Sequence, residues 1–254
     1  MKKGWRILTA CSLLILFLAS CGPSKTELRR REIAQRDLGS QYLLAGDSTT
    51  ALKHLLEAEK LYPKDHILQN YLGLTYMAKN SPDLAIEHYR KALKLKPDYA
   101  PAKNNLGAVY LEQENWDAAI AVYLELTGDL LYATPHYPLS NLGFAYYQKK
   151  LYKKSEKYYR QALKLEPTHP PALRGLGRTY VAMGRGAEAI AALALVVERY
   201  PEFAGAHYDL ARAYMLLRNY RKAKAAYKNV VALAPGSPEA AEARRMLQRL
   251  RNVK

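Results

Sequence analysis

Residues 70–97 read NYLGLTYMAKNSPDLAIEHYRKALKLKP, and their order decides the fold. Leu72, Gly73 and Tyr76 fall within one helical turn. Asn80-Ser81-Pro82 then interrupts the pattern, Ala85 and Tyr89 follow four residues apart, and Pro97 closes the stretch. Pro82 suits the first position of a second helix, where its missing N–H is no loss, and Ser81 is placed to cap that helix. Pro97 stops it, because proline has no donor and its ring clashes with the preceding turn. The stretch therefore predicts two helices joined by a tight turn. The same order recurs along the chain. Leu38-Gly39-Tyr42, Leu72-Gly73-Tyr76, Leu106-Gly107-Tyr110, Leu142-Gly143-Tyr146, Leu176-Gly177-Tyr180 and Leu210-Ala211-Tyr214 are spaced by 34, 34, 36, 34 and 34 residues. Small residues in the second helix keep step at Ala51, Ala85, Ala119, Ser155, Ala189 and Ala223. A large residue follows each four later, at Leu55, Tyr89, Tyr123, Tyr159, Leu193 and Tyr227. Most units end on proline, at Pro63, Pro97, Pro167, Pro201 and Pro235.

This pattern resembles the tetratricopeptide repeat, and the resemblance runs over residues 32–237. It implies an all-α, right-handed superhelix of six tetratricopeptide-type helix pairs, at 32–65, 66–99, 100–135, 136–169, 170–203 and 204–237. A capping helix and tail complete it at 238–254. One pair cannot bury its own apolar face, so neighbours must stack. The glycine brings the first helix close to the second, and the following tyrosine fills the space beside that contact. Turn residues are expected at Gly46-Asp47, Asn80-Ser81-Pro82, Gly184 and Asn219. In the cap, Ala241, Met246, Leu247 and Leu250 are expected to face inward. The third unit departs from the pattern. Leu126 replaces a small residue, Leu131 replaces proline, and two residues are added within LTGDLLYATPHYPLSN before the fourth unit. Its second helix is expected to end near Gly128. The insertion reads either as a tolerated loop or as a bend or contact point.

The amino terminus reads as an address. Lys2, Lys3 and Arg6 precede the apolar run ILTACSLLILFLAS at 7–20, which is shorter than the ~20 residues a membrane-spanning helix needs. A basic start, a short apolar run and small residues at its end make a signal peptide over 1–20. Leu18-Ala19-Ser20-Cys21 resembles the bacterial lipobox, which implies diacylglycerol on the Cys21 thiol and cleavage before it. The other cysteine, Cys11, leaves with the signal, so no disulfide is expected. Two or three acyl chains hold a protein to a membrane durably, at roughly 0.8 kcal/mol per buried methylene. Residues 21–31 (CGPSKTELRRR) read as an acylated polar tether. Gly22 stands where enterobacterial lipoproteins kept at the inner membrane carry aspartate. The expectation is thus an outer-membrane lipid anchor facing the periplasm.

The 254 residues carry a formal charge of +16. Without the three cations of the signal, 36 basic side chains stand against 23 acidic ones. Such a balance suits nucleic acid, anionic lipid or an acidic partner, and export disfavours nucleic acid. Phosphate-binding glycine loops, zinc-protease motifs, paired cysteines and nucleophile elbows are absent from the sequence. His54, His66, His88, His136, His169 and His207 fall at unrelated repeat positions, as surface or partly buried residues. No enzyme, metal or cofactor is expected. The run Lys149, Lys150, Lys153, Lys154, Lys157, Arg160 and Lys164 reads as a solvated face, or as a contact for anionic envelope polymers or lipid head groups.

Protein binding remains. In such repeats the first helices line the face that holds a partner. The register places Ile67, Asn70, Leu74 and Met77 there in the second unit, and Asn104, Ala108 and Leu111 in the third. Tyr137, Ser140, Phe144 and Tyr147 follow in the fourth, then Arg174, Arg178, Tyr208 and Arg212. Asparagines suit an extended peptide backbone, apolar neighbours its alternate side chains, and arginines a carboxylate. Arg36 and Ser40 do not match the two-carboxylate clamp of chaperone-binding repeats.

Residues 104–165 carry a finer likeness. Asn104-Asn105, Tyr110-Leu111-Glu112-Gln113, the irregular Asp129-Leu130-Leu131-Tyr132 and Asn141 to Gly143 resemble the pilotin family of type IV pilus biogenesis lipoproteins. The fifth and sixth units are more regular than that family's. The resemblance implies a protein that binds outer-membrane secretin subunits and promotes their localisation and assembly; a monomer is expected. Asn70, Leu74, Asn104, Ala108 and Phe144 carry over as contacts. The alternative is an envelope adaptor that scaffolds peptidoglycan hydrolases or a polysaccharide export complex.

Overall fold

The computed structural model describes residues 23–128 and 134–251. The signal segment, Cys21 and the Asp129-Leu130-Leu131-Tyr132 connection lie outside the described residues. Among those described there are thirteen α-helices and no strand. The described residues fall into two compact units that divide between Ala102 and Lys103.

The first unit contains α1 (Lys25–Leu44), α2 (Ser48–Leu61), α3 (His66–Ala78) and α4 (Pro82–Leu95). Helix α1 packs on α2, α2 on α3 and α3 on α4, while α1 also touches α3. Helix α5 (Ala100–Glu112) starts at the end of this unit and belongs mostly to the second. There follow α6 (Trp116–Thr127), α7 (His136–Gln148), α8 (Tyr152–Leu165), α9 (Pro170–Ala182), α10 (Gly186–Arg199), α11 (Ala204–Leu216), α12 (Tyr220–Leu233) and α13 (Pro238–Arg249). Consecutive helices from α6 onward pack in turn, and the first helices of successive pairs, α7, α9 and α11, also touch one another.

The repeat residues explain the pairing. A Cβ placed on Gly39 would lie 2.7 Å from Leu55 Cγ, and one on Gly143 2.7 Å from the Tyr159 ring. Gly73, Gly107 and Gly177 meet Tyr89, Tyr123 and Leu193 in the same way. Each of these large residues of a second helix therefore lies against bare backbone of the first, and they and Tyr227, whose counterpart is Ala211, are all buried. Ala58, Ala92, Leu126, Ala162, Val196 and Val230 are buried one turn further along. The second helices stop at Leu61, Leu95, Leu165, Arg199 and Leu233, each two residues before a proline. In the third unit α6 stops at Thr127, with Gly128 as its cap.

Each turn between paired helices holds one residue in the left-handed region: Gly46, Asn80, Glu114, Lys150, Gly184 and Arg218. The helix carbonyls it frees are then taken by following N–H groups, as Tyr42 O is by Asp47 N at 2.9 Å. In the last turn the reversal falls on Arg218. Asn219 instead caps α12, accepting from Lys222 N at 3.1 Å. Ser81 occupies the cap position of α4 without a side-chain bond to that helix. In α13 the inward alanines are Ala240 and Ala243, both fully buried, while Ala241 is exposed. Leu250 is buried, and Met246 and Leu247 pack against the same core, as expected, so the difference is confined to Ala241.

The segment expected as a tether is helical from Lys25. Ser24 caps α1 by accepting from Glu27 N, and Arg31 bonds back to Glu27 at 2.9 Å. Arg29 pairs with Glu32, and Arg29 and Arg36 both reach Asp65, at 2.6 and 2.8 Å. Asp65 also caps α3, accepting from Ile67 N at 2.6 Å. Burial pushes the Asp65 carboxyl up. The N–H of Leu68, the Arg29 guanidinium and the N–H of Ile67 outweigh that and hold it below the usual range. Glu32, buried first and then beside this charge, is raised to about 7. Ionic contacts, rather than an apolar stripe, extend this helix.

Candidate functional site

The first helices of the second unit bring several expected binding residues to one place. Phe144 of α7 and Arg174 and Arg178 of α9 line a cavity of about 350 Å³, together with Ser140, Asn141 and Phe203. Its floor is the buried ring of Tyr159, which reaches from α8 beneath the backbone of both Gly143 and Gly175. A Cβ on Gly175 would collide with that ring. Pro170 and Pro171 begin α9 at the cavity wall.

Aromatic rings hold the cations in position. The Arg174 guanidinium lies 4.9 Å from the Phe203 ring centroid, and that of Arg178 4.9 Å from the Tyr147 ring. Gly205 makes room for Arg174, since a Cβ there would lie 2.7 Å from Nη2. Arg174 Nε donates to Asp209 Oδ2 at 2.7 Å. Burial raises the Asp209 carboxyl, and Arg174, Arg178 and Arg212 oppose that rise without cancelling it. Arg174 is thus committed within the protein. Arg178 and Arg212 have no carboxylate partner within salt-bridge distance among the described residues. The cavity offers an aromatic wall, a hydroxyl and an amide, and an excess of positive charge. That set suits an extended acidic peptide with an apolar side chain.

Trp116, which the sequence reading did not single out, meets Phe144 edge-on, at 5.9 Å between centroids. The remaining expected residues are placed differently. Ala108 is exposed and Leu111 half-buried on α5. Asn104 is half-buried, and its Oδ1 is shielded without a hydrogen-bond partner among the described residues. Asn70, Leu74 and Met77 belong to the first unit. Asn70 is buried and offers little surface to a partner, while Leu74 and Met77 are half-buried. Sequence reasoning missed Asn141, Phe203, Gly205 and Asp209. The lone acid among the arginines of α9 and α11 was the available signal.

His88, His169 and His207 are buried, against the expectation of surface or partly buried residues. His88 Nδ1 lies 2.7 Å from Gln69 Oε1, and its ring stacks on Tyr76. His207 Nε2 donates to Pro201 O at 2.8 Å. His169 packs edge-on against His136 and Tyr137. Desolvation keeps His88 and His169 below the ordinary imidazole range. Among the described residues no group of three or more His, Cys, Asp or Glu is placed to hold a metal ion. No described helix is long and apolar enough to cross a membrane.

Comparison with known proteins agrees with this architecture. Profiles described as TPR repeat or tetratricopeptide repeat match residues 73–114, 104–130, 146–202 and 187–250. No curated protein sequence matches the chain. Among solved structures, PilF of Pseudomonas aeruginosa is 24% identical, with a TM-score of 0.76 over 86% of this chain and 99% of its own. PilW, a widely conserved type IV pilus biogenesis factor, is 24% identical with a TM-score of 0.75, over 83% of this chain and 97% of its own. YrrB, a repeat protein with an unusual peptide-binding site, is 22% identical with a TM-score of 0.60, over 75% and 97%. The chain is a tetratricopeptide-repeat protein, a protein-binding scaffold whose fold is similar to that of PilF and PilW.

Proposed function

We propose that this protein is an outer-membrane-anchored pilotin. It is held through acylated Cys21, faces the periplasm, and binds secretin subunits to promote their localisation and assembly in type IV pilus biogenesis. The observation that carries the reading is the joint presence of a lipobox-like Leu18-Ala19-Ser20-Cys21 and a repeat array that covers nearly all of the PilF and PilW chains. The irregular third unit and the Asn104-Asn105 pair support it further. The bound segment is expected to be extended, with an apolar side chain against Phe144 and an acidic group at Arg178.

Affinity capture of the acylated chain from envelope extract tests the proposal. Secretin subunits are expected in the capture, and their loss in Phe144→Glu and Arg178→Glu at unchanged helicity would support the site. Enrichment of a peptidoglycan hydrolase or a polysaccharide exporter in place of secretin would refute the pilotin reading and favour the adaptor.

A further inference from the structure

We propose that the turn edge of the fourth, fifth and sixth helix pairs docks on an anionic lipid bilayer. Three turns of the second unit supply this edge: Lys149-Lys150-Leu151 between α7 and α8, Met183-Gly184-Arg185 between α9 and α10, and Leu217-Arg218-Asn219 between α11 and α12. They are contiguous. Leu151 and Met183 line one shallow, mostly apolar depression with Lys150, Lys153 and Lys154. Gly186, three residues on from Met183, lies against Leu216 and Leu217, so that a Cβ there would be 2.9 Å from Leu217 Cγ. Leu151, Leu216 and Leu217 are nonetheless 42%, 43% and 51% exposed. An apolar strip of this kind needs a partner.

Charge identifies the partner. Lys150, Lys153, Lys154, Arg218, Arg221 and Lys222 border the strip, and none has a carboxylate within salt-bridge distance among the described residues. The nearby acids are already engaged: Asp117 by Lys149, Glu156 by Arg160 and Arg185, and Glu188 by Arg185. Lys154 and Lys222 lie over the rings of Tyr146 and Tyr214. The corresponding turns earlier in the chain carry acids, Asp47, Asp83, Glu114 and Asp117, although Leu44 beside the first of them is 87% exposed. Exposed leucines ringed by long cationic side chains match a bilayer surface. The leucines enter the acyl boundary, and the ammonium and guanidinium groups remain among the phosphates. A purely polar polyanion would satisfy the cations but leave the leucines in water.

The inference is independent of the acyl anchor, because it is tested on the chain from Pro23 onward, which keeps every helix described above and lacks Cys21. Co-sedimentation is measured with vesicles of phosphatidylcholine alone and of phosphatidylcholine mixed with phosphatidylglycerol. Binding is expected to the mixed vesicles only and to weaken as salt rises. Lys150→Glu/Lys154→Glu/Arg218→Glu is expected to weaken partition at least about fivefold per charge removed. Leu151→Ser/Leu216→Ser is expected to reduce it with helicity unchanged by circular dichroism. Equal binding to both vesicle types, absence of binding, or indifference to both variants overturns the proposal. So does saturable binding of polyglutamate through the same lysines by a chain that ignores the mixed vesicles.

Discussion

Gly175→Ala is the sharpest test of the packing beneath the candidate groove. Alanine ordinarily stabilises a helix by about 1 kcal/mol relative to glycine, so propensity alone predicts a gain. The structure predicts a loss. A Cβ at position 175 would lie 2.5 Å from Tyr159 Cε1, and closer still to Cζ and Oη. The ring has little room to retreat, because Tyr159 is buried and also lies against the backbone of Gly143, whose Cβ position is 2.7 Å from it. Over-packing a fixed aromatic side chain costs about 1–3 kcal/mol, and a clash with two ring carbons and the hydroxyl oxygen belongs at the upper end. Subtracting the propensity gain leaves a net destabilisation of about 1–2 kcal/mol. Urea unfolding followed by circular dichroism measures it, with Gly236→Ala as the control, because nothing lies within 4 Å of a Cβ at that position. Tyr159→Leu completes the cycle, since Leu55 and Leu193 fill the same slot against Gly39 and Gly177. The double variant should be more stable than the sum of the single losses. A stabilised Gly175→Ala, or strict additivity with Tyr159→Leu, would refute the reasoning.

Glu32 makes the first unit sensitive to pH. Its carboxyl titrates near 4.5 when unfolded and near about 7 when folded. Between those values the folded chain keeps a proton that the unfolded chain has released, so stability falls as pH rises through the window. Glu32→Gln should flatten that slope in urea midpoints taken below and above it; an unchanged slope would place the titration elsewhere. Asp65→Ala removes a helix cap and the shared acceptor of Arg29 and Arg36. It is expected to cost about 3–5 kcal/mol, in the range for uncovering a buried ion pair, and a loss below 1 kcal/mol in thermal or urea unfolding would show the pair to be solvated. Ser155→Ala deletes bonds to Gly143 O and Thr179 Oγ1, at 2.8 and 2.9 Å. A loss of about 1 kcal/mol is expected by the same assay. Cys21→Ala should move the protein from the membrane to the soluble fraction, and retention at the membrane would count against acylation.

The helix pairs were legible because they depend on local order. A small residue three positions before a tyrosine, a large residue sixteen positions after that small one and, in most units, a terminal proline recur at a fixed step, and each has one steric meaning. The ionic structure was not legible in the same way. Arg29, Glu32 and Arg36 look like solvated charges in a segment without apolar periodicity, yet Glu32 is fully buried and α1 begins seven residues earlier. Their partner Asp65 lies 29 residues beyond Arg36, where it caps the first helix of the next pair. The same holds for Arg174 with Asp209, Arg185 with Glu156 and Lys149 with Asp117, which are 35, 29 and 32 residues apart. Each separation is close to one repeat, so these pairs join equivalent regions of neighbouring units. A period that brings apolar faces together also brings opposite charges together, provided that the acid and the base occupy adjacent copies. Within one copy the two look unpaired. The repeat-long spacing of charge, rather than the identity of any single residue, is what separates a cation committed to the scaffold, such as Arg174, from one still available to a partner, such as Arg178.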